Sequence, residues 1–529
     1  MCVFRPMFHS QPYPLQSGSA PFQDRLSGSP RGLLLCRGTG EEPHCEQDMP
    51  LRDIADARAL FGSINGSFVG VGMTAFSRIT PAHFIPSYRI VCHKKSCDLD
   101  LLKKTVPVFS LEELVGEPVN EGLESVSLIS HPMVRELLAG LAGPVHLILY
   151  QNYPALESIK GEMGWRLAAN PSALRLKLAD RRFFREMIEK LALPAVPGAV
   201  IPLGEFLSGS YGYWSGLFGK RYVVQLVDII QGGGRGTFFV TDPDSHLSLC
   251  RRLEEKVWRG VTINYVSLRS FIEGEAASIA LCVTKNGILV SRIQRQVIDA
   301  PYCDGFVESG IFCGHSWDDM SWGDRVNSEA KRQSLAIGNY LAGLGYRGIC
   351  GIDILVDGFN ESVFVLELNP RYTGAFPMLS LLQMDRGILP MEAVHLLELL
   401  SVPYSIDIEA LNEAYMEPLR GGHLIVFVLT AAGRPLSLKP INSGLYELSG
   451  QNGNAAFLRE CASFNGPEGL GQFVVLEGPP NFEGRELVFN DNLARLCRLM
   501  FSSPITDARG RLSQEATAAA RWAYKAIVG

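Results

Sequence analysis

Two carboxylates and one amide, Asp353, Glu367 and Asn369, have the side-chain types and the spacing of ligands for a divalent cation. The turn between the carboxylates is rich in Asp, Gly and Asn, which predicts an antiparallel hairpin. With a loop of about five residues, Asp357 pairs with Val363 and Asp353 faces Glu367 across the ladder. Because side chains alternate with a period of two, Asn369 lies on the same face as Glu367.

Like charges that face each other on otherwise apolar strands repel, and a cation between them would offset the cost of burying both. Oxygen ligands of this kind suit Mg²⁺ or Mn²⁺, and Mg²⁺ held by few protein oxygens usually shares its coordination shell with phosphates. We therefore predict a Mg²⁺ or Mn²⁺ site at Asp353, Glu367 and Asn369. The alternative is that one carboxylate is salt-bridged to Arg371 or Arg347 while the other points to solvent.

A glycine-rich loop lies between the β-rich runs 222–230 and 237–240. It contains four glycines and an arginine, namely Gly232, Gly233, Gly234, Arg235 and Gly236. Glycines let several backbone N–H groups point at one anion, and the arginine adds positive charge, so the loop could bind phosphate. It is not a P-loop, because the chain contains no GxxxxGK[ST] sequence. An ordinary hairpin tip is the alternative interpretation.

A third stretch, 268–279, reads as an apolar strand that ends in Glu-Gly-Glu. Backbone groups of Phe271 and Ile272 could bind the edge of a purine, and Glu273 or Glu275 could accept hydrogen bonds from ribose hydroxyls. An ordinary strand followed by a turn would have the same sequence. This stretch is therefore informative only together with the other two.

The elements that must position these residues alternate between strands and helices. In 49–160, apolar runs such as 88–92 and 145–150 are separated by helical stretches, which predicts a mainly parallel α/β layer. Its glycines Gly66, Gly70 and Gly72 do not form GxGxxG, so this part of the chain lacks a dinucleotide fingerprint. We expect it to frame a substrate.

We divide the 529 residues into four segments. They are a disordered leader (1–48), an α/β domain (49–160), a central domain (161–400, with subdomains 161–286 and 287–400) and a C-terminal domain (401–529). The leader is rich in Ser, Gly and Pro, as disordered segments are. Met49 is the alternative start of the protein.

The composition excludes several classes of protein. With 47% hydrophobic and 20% charged residues, the chain is typical of soluble enzymes. Its net charge of −6 argues against nucleic acid or a membrane as partner, and it has no apolar run of the ~20 residues that span a bilayer. The twelve cysteines form no CxxC pair, which favours free thiols in the cytoplasm.

The order of these parts resembles the ATP-grasp superfamily over roughly 170–400. A basic helix at 170–191, the glycine-rich hairpin, the Glu-Gly-Glu strand end and the Asp353…Glu367-x-Asn369-x-Arg371 hairpin follow one another as they do in that family. The resemblance implies a fold of mixed α/β and α+β class. An N-terminal parallel α/β domain would precede an ATP-grasp domain of two α+β subdomains, and a small C-terminal α+β domain would follow.

The resemblance also implies an activity. Such enzymes hold ATP between two subdomains, transfer its γ-phosphoryl group to a substrate carboxylate, and let an amine or a thiol displace phosphate, so that ADP and phosphate are released. The implied cofactors are ATP and Mg²⁺ or Mn²⁺, and the implied partners are a small-molecule carboxylate and an amine. A homodimer is compatible with this interpretation.

Roles of individual residues follow from the same resemblance. Asp353, Glu367 and Asn369 match the metal ligands, and Arg371 matches the basic residue that steadies the acyl phosphate. The loop 232–236 would close over the β- and γ-phosphates. On the strand 291–296, basic side chains lie on both faces, and we take Arg295 as the candidate that reaches the phosphates, although the sequence leaves this choice open.

Two positions depart from the family pattern. The phosphate-binding lysine is replaced by Gln225, so that Arg235 or Arg181 would have to supply the cation, and the ribose-binding acid falls at Ala276 beside Glu275. Gln225 motivates an alternative, a non-catalytic ATP-binding sensor or regulatory module, whereas the three intact metal ligands favour the enzyme. A biotin-carboxylase-like subunit would require close matches throughout the C-terminal segment, which the sequence does not show.

Overall fold

The computed structural model describes most of the chain after residue 47. The described residues are 48–119, 124–229, 234, 236–300, 309–318, 322–429, 437–449, 453–469, 471–481 and 493–529. They belong to one compact unit. The predicted leader, apart from Asp48, and the candidate phosphate-binding residues Gly232, Gly233 and Arg235 lie outside the described residues.

A five-stranded parallel sheet with the order β4-β3-β2-β5-β6 forms the N-terminal part. Its elements, in chain order, are β1 (Met49–Pro50), α1 (Ile54–Ser63), β2 (Ser67–Gly72), β3 (Tyr88–Cys92), α2 (Leu99–Leu102), β4 (Val108–Ser110), α3 (Leu111–Val115), α4 (Ser125–Ser130), α5 (Pro132–Ala139), β5 (Val145–Leu149), α6 (Pro154–Met163) and β6 (Arg166–Ala168). Every residue of β2 and β5 is buried, as in a parallel sheet covered on both faces. The strand order reverses between β2 and β5, so a crevice opens at their carboxyl ends.

The next part has a four-stranded antiparallel sheet with the order β7-β12-β8-β9. Its elements are α7 (Ser172–Ala179), α8 (Arg181–Lys190), β7 (Gly198–Pro202), α9 (Leu203–Ser208), α10 (Tyr211–Phe218), β8 (Tyr222–Leu226), β9 (Thr237–Val240), α11 (Pro243–Leu253), β10 (Val257–Trp258), β11 (Val261–Thr262) and β12 (Tyr265–Ser270). The α8 helix buries Phe184, Met187 and Ile188, which are spaced as the apolar face of a helix requires. The Asp180 side chain caps the first turn of α8 and so fixes the start of this helix at Arg181.

The remainder of the chain builds one large sheet with the order β18-β17-β13-β15-β16-β20-β24-β23-β21-β22, and β14 pairs with β13. Its first elements are β13 (Gly274–Val283), β14 (Ile288–Val290), β15 (Gln294–Ile298), β16 (Phe312–Trp317), α12 (Asp324–Gly343), β17 (Gly348–Asp357), β18 (Val363–Asn369), α13 (Phe376–Asp385) and α14 (Met391–Leu399). The others are β19 (Tyr404–Ser405), α15 (Ile408–Met416), β20 (Gly421–Leu429), β21 (Gly444–Ser449), β22 (Asn454–Arg459), β23 (Gln472–Leu476), β24 (Leu493–Phe501) and α16 (Gln514–Val528). Antiparallel pairing of β16 with β20 makes the C-terminal strands continuous with the hairpin β17–β18, a connection that the sequence did not indicate.

The predicted fold class is confirmed: a parallel α/β sheet precedes antiparallel α+β parts. The β1 strand also pairs in parallel with β19, which ties the beginning of the described chain to its C-terminal part. Among the described residues, no helix is long and apolar enough to cross a membrane.

Candidate active site

A cavity of about 1790 Å³ lies where the three sheets meet. Its walls include Gln225 on β8, Ser278 on β13 and Asp353 on β17. Loops at the carboxyl ends of β2 and β5 complete the wall, through Arg78 and Tyr150. The cavity is therefore large enough for a nucleotide together with a second small molecule.

The predicted carboxylate pair lies in this wall. Asp353 on β17 is directly opposite Glu367 on β18. The predicted pairing of Asp357 with Val363 is wrong by one residue, because Val363 pairs with Val356. An irregularity after Asp353 leaves Leu366 without a partner on β17, and this extra residue restores the facing pair.

Asp353 is held between two amides. The Gln296 Nε2 donates to its Oδ1 at 2.8 Å, and the Asn369 Nδ2 donates to its Oδ2 at 2.9 Å. Burial and the charge of Glu367 raise the pKa of Asp353 well above its usual range, against the lowering effect of Arg371 and the two amides. A cation at this carboxylate pair would remove the repulsion that raises the pKa.

Glu367 links the pair to the other side of the cavity. Its side chain is 39% exposed, and its Oε2 lies 3.5 Å from the Arg181 Nη2 at the start of α8. The described residues contain no cluster of three His, Cys, Asp or Glu side chains that could hold a metal. The predicted set is instead two carboxylates and an amide, and its oxygen donors fit Mg²⁺ or Mn²⁺.

Arg371 is fixed by three hydrogen bonds. Its Nη2 donates to the Asn369 Oδ1 at 2.9 Å, and its Nη1 donates to the Tyr150 hydroxyl at 2.5 Å and to the Tyr372 carbonyl at 2.9 Å. No ion pair between described residues involves Arg371, so its charge faces the cavity without a carboxylate of its own. Tyr150, which follows β5, was missed in the sequence because nothing local distinguishes it.

The predicted nucleotide residues are only partly brought together. Those that line the cavity are Arg181, Gln225, Gly234, Phe271, Ile272 and Glu275. Gly236 and Glu273 are not among the lining residues, and Glu273 is ion-paired with Arg221 at 2.7 Å. Gly234 has a φ of 81°, and a Cβ there would lie 2.0 Å from the Gly310 carbonyl oxygen, so only glycine fits.

Arg295 lies in the wall and is 1% exposed. Its Nη1 is 2.7 Å from the Glu275 Oε2, and its guanidinium carbon is 4.9 Å from the centre of the Trp322 ring. Glu275 therefore balances the charge of Arg295. Arg292, the other basic residue of the predicted strand, precedes β15 in the structure, donates to the Met416 carbonyl at 3.1 Å and does not line the cavity. The structure therefore favours Arg295 as the residue that faces the cavity.

A chain of buried polar groups, also missed in the sequence, runs from the cavity into the C-terminal strands. The Arg498 Nη1 lies 2.9 Å from the His423 Nδ1, the His423 Nε2 lies 3.2 Å from the His315 Nδ1, and the His315 Nε2 lies 3.1 Å from the Ser278 Oγ. Because arginine can only donate, each imidazole must accept at Nδ1 and donate at Nε2. The Ser278 hydroxyl is thus an acceptor from His315, and its own proton is directed elsewhere.

We expect buried histidines to make the protein acid-sensitive. Burial lowers the pKa of His315 and His395 to about 3 each and also lowers that of His423. The unfolded chain takes up these protons near pH 6.5 while the folded chain does not, so the free energy of unfolding should fall below that pH. The slope is about 1.4 kcal/mol per pH unit for each histidine.

Urea unfolding of the wild type and of His395→Gln between pH 8 and 5 tests this expectation. Glutamine can still accept the hydrogen bond that the Ile349 N–H donates to the His395 Nδ1 at 3.0 Å. The variant should show a shallower loss of stability below pH 6.5 and a parallel curve above pH 7. Equal slopes below pH 6.5 would contradict the assignment of a neutral buried imidazole.

Comparisons with known proteins agree with this architecture. Residues 244–375 match the family model of the ATP-grasp domain. Over 243 residues the chain is 26% identical to the arginine-specific large chain of carbamoyl phosphate synthase from Geobacillus stearothermophilus, a match that covers 44% of this chain. The match spans only 20% of that relative's length.

Two solved structures have a similar fold. One is the biotin carboxylase domain dimer of Hydrogenobacter thermophilus 2-oxoglutarate carboxylase with MgADP, ADP and bicarbonate (TM-score 0.52, 12% identity, 83% of this chain and 86% of that chain). The other is biotin carboxylase from Campylobacter jejuni in complex with β-γ-ATP (TM-score 0.52, 12% identity, 84% and 89%). At this identity the likeness shows the fold, and it extends well beyond the residues that match the domain model.

Proposed function

We propose that this chain, whose residues 244–375 match the ATP-grasp domain, is an ATP-dependent ligase. It activates a small-molecule carboxylate as an acyl phosphate, joins it to an amine, or to a thiol as the alternative nucleophile, and releases ADP and phosphate. The observation that carries the proposal is the facing pair Asp353 and Glu367, with Asn369 beside it, in the wall of a cavity that can hold both substrates. The alternative required a salt bridge to Arg371 or Arg347, but among the described residues Glu367 is paired with Arg181 and Arg347 is paired with Glu398.

The residues divide the chemistry among them. Asp353, Glu367 and Asn369 would hold Mg²⁺, which when bound neutralises phosphate charge during transfer. Gln225, Arg181 and Gly234 line the side where the nucleotide would lie. Transfer needs little covalent chemistry from the protein and depends on positioning and fixed charge.

Arg371 would stabilise the negative charge of the acyl phosphate. Its guanidinium is held by Asn369 and Tyr150, so its charge is in place before the acyl phosphate forms. A preorganised cation stabilises the developing negative charge more than a mobile one because no reorganisation is needed. The amine then attacks the carbonyl carbon, and phosphate leaves with the bonding electrons.

We include in the proposal a cytoplasmic location, ATP and Mg²⁺ or Mn²⁺ as cofactors, and the domain division 49–160, 161–400 and 401–529. The two relatives that are biotin carboxylases were solved with nucleotides, one of them with MgADP, which supports the cofactor assignment. One of them is a dimer, which supports testing this chain for a homodimer.

The direct test is an ADP-release screen of the purified full chain. The protein is incubated with Mg²⁺ and ATP and with pools of amino acids, small peptides and organic acids. We expect ADP above background in a pool that supplies both a carboxylate and an amine. If no pool produced ADP above background but ATP raised the melting temperature, the result would favour a sensor that binds the nucleotide without hydrolysing it.

Gln225 is the observation that favours the sensor. Its neighbours across the sheet are Thr237 and Ser267, both uncharged, and Arg181 is ion-paired with Glu367. The nucleotide side therefore lacks a lysine at this position. A ligase with this substitution would bind ATP more weakly than one that has the lysine.

We expect Gln225→Lys to lower the apparent KM or Kd for ATP by about 10-fold, since a hydrogen bond to a charged group is worth about 1.5–3 kcal/mol. Isothermal titration with MgADP and ATP measures the change. Gln225→Met, which has a similar size and no charge, is the control and should not improve binding. Unchanged or weaker ATP binding in Gln225→Lys would place the triphosphate elsewhere in the cavity.

A further inference from the structure

The crevice at the carboxyl ends of β2 and β5 contains an unpaired buried arginine. Arg78 is 4% exposed and lines the cavity. Its Nε is buried without a hydrogen-bond partner, and none of the hydrogen bonds or ion pairs between described residues involves its guanidinium group. Since arginine keeps its charge in proteins, a positive charge is buried here without a direct counter-ion.

Two tyrosine rings surround this guanidinium group. Its central carbon lies 4.9 Å from the centre of the Tyr372 ring and 5.5 Å from that of Tyr150. Aromatic faces attract a cation but offer no acceptor for its N–H groups. The rings therefore hold the arginine in place but accept no hydrogen bonds from its N–H groups. These N–H groups can donate to a bound anion.

The chain also makes room for Arg78 in its backbone. A Cβ on Gly72, the last residue of β2, would lie 2.9 Å from the Arg78 Cγ and 3.1 Å from the Ser77 Oγ. Glycine at this position lets the Arg78 side chain pass close to the strand end. Gly72, which is not part of a dinucleotide fingerprint, thus has a steric role beside Arg78.

The described carboxyl group whose pKa Arg78 lowers belongs to Glu392. Burial raises the pKa of Glu392 and Arg78 lowers it, but the two side chains form no ion pair within 4.0 Å. The Glu392 Oε2 accepts hydrogen bonds from the hydroxyls of both Thr80 and Ser380. Glu392 therefore has its own partners and does not use the donors of Arg78.

Positive charge at this end of the cavity exceeds what the protein neutralises. Arg175 is also 4% exposed, donates only to uncharged groups of Asn152 and Gln151, and lines the same cavity. The described ion pairs include no partner for Arg78, Arg175 or Arg371. An anionic ligand would satisfy them, and a planar carboxylate matches the forked donors of a guanidinium.

We propose that Arg78 binds a non-reacting carboxylate of a small-molecule substrate. Arg371, rather than Arg78, is bonded to the metal-ligand candidate Asn369, so the carboxyl group that becomes the acyl phosphate lies on the Arg371 side of Tyr150. The second carboxylate belongs either to an amino acid that serves as the amine or to a diacid. This inference rests on the proposed function for the identity of the substrate, but not for the binding of the anion.

The test measures binding to the full-length protein in the presence of MgADP. The probes are matched pairs: glycine and glycinamide, lysine and lysinamide, glutamate and isoglutamine, succinate and succinamate, with inorganic phosphate as a further anion. At least one carboxylate should bind at least 10-fold more tightly than its amide, and Arg78→Met should lose at least 10-fold of that affinity while its Kd for MgADP stays unchanged. The amino-acid and succinate pairs distinguish the two sources of the carboxylate.

Melting temperature separates this role from a structural one. If Arg78 binds a ligand and has no structural role, Arg78→Met removes an uncompensated charge, and the ligand-free protein should melt at an equal or higher temperature. If Arg78 were instead a structural partner of Glu392, the variant would melt lower and the inference would be overturned. Arg166→Met, on the exposed end of β6 and outside the cavity, is the matched control and should change neither quantity.

Gly72→Ala provides a second variant should Arg78→Met fail to fold, because it displaces the arginine without removing its charge and should weaken the same carboxylate. Three outcomes would overturn the inference. The variants could bind carboxylates as tightly as the wild type, or phosphate could bind more tightly than any carboxylate. No carboxylate could bind detectably to protein that binds MgADP. If the protein forms ADP and Arg78→Met binds carboxylates as the wild type does, the proposed ligase function stands and the role of Arg78 is overturned. If carboxylate binding depends on Arg78 but no ADP forms, only the proposed ligase function is overturned.

Discussion

Glu367→Gln is expected to reduce Mg²⁺-dependent ADP formation by at least about 1,000-fold, the order of effect that several kcal/mol of lost charge stabilisation produces. The substitution keeps the size of the side chain and one acceptor oxygen but removes one of the two facing charges. An uncharged amide oxygen binds Mg²⁺ more weakly than a carboxylate does, so the ion would be held much less tightly at the junction of β17 and β18.

The same variant should be at least as stable as the wild type when no metal is present. Asp353 is half-buried and its pKa is raised by desolvation and by the charge of Glu367, so removing the Glu367 charge relieves repulsion. The ion pair of Glu367 with Arg181 at 3.5 Å is lost, but Glu367 is 39% exposed and such pairs contribute little. Loss of activity with retained stability is the signature of a ligand rather than of a structural residue.

Melting curves with and without MgADP, together with ADP-release assays, measure both expectations. MgADP should raise the melting temperature of the wild type more than that of Glu367→Gln. Glu361→Gln, an exposed residue in the turn of the same hairpin, is the control and should behave as the wild type. Activity within a few-fold of the wild type in Glu367→Gln would show that the metal ligands lie elsewhere.

The facing carboxylates could be predicted because they depend on a short hairpin. A turn of a few residues sets the register of its two strands, and the period of two then fixes which side chains share a face. The irregularity at Leu366 was not predictable, since nothing in an apolar strand marks which residue will be left out of the ladder. The expected pairing of Asp357 was wrong for this reason, although Asp353 still faces Glu367.

The rest of the site could not be read from the sequence because it joins residues that are far apart in the chain. Tyr150 bonds to Arg371, which lies 221 residues later, and His315 contacts His423, which lies 108 residues later. Each of these side chains is ordinary in its local context. The first contact depends on how the parallel sheet packs against the large sheet, and the second depends on the pairing of β16 with β20 within the large sheet. Local patterns determine neither.

Arg371→Met is expected to lower kcat by about 100- to 1,000-fold, the range found when one preorganised donor to a developing oxyanion is removed. The KM for ATP should change by no more than about three-fold, because the role that we propose for Arg371 is to bind the acyl phosphate and not the nucleotide. Its three hydrogen bonds fix the guanidinium group before substrate binds. The loss should therefore appear in turnover and not in nucleotide affinity.

Arg371→Lys should recover little of this activity. One nitrogen of the guanidinium bonds to Asn369 while another bonds to Tyr150, and a single ammonium cannot reproduce that fork. Tyr150→Phe should cost less, about 10-fold, since it removes one of the three bonds and leaves the charge.

Arg347→Met is the control for these variants. Arg347 lies outside the cavity and donates to the Tyr346 carbonyl, so this change should leave kcat intact.

If Arg371→Met and Arg347→Met had the same kcat, the charge that steadies the acyl phosphate would have to come from another arginine in the wall. Arg295 is a poor substitute because Glu275 neutralises it at 2.7 Å, whereas Arg78 and Arg175 form no ion pair among the described residues. A wild-type rate in Arg371→Met would then direct the search to those two.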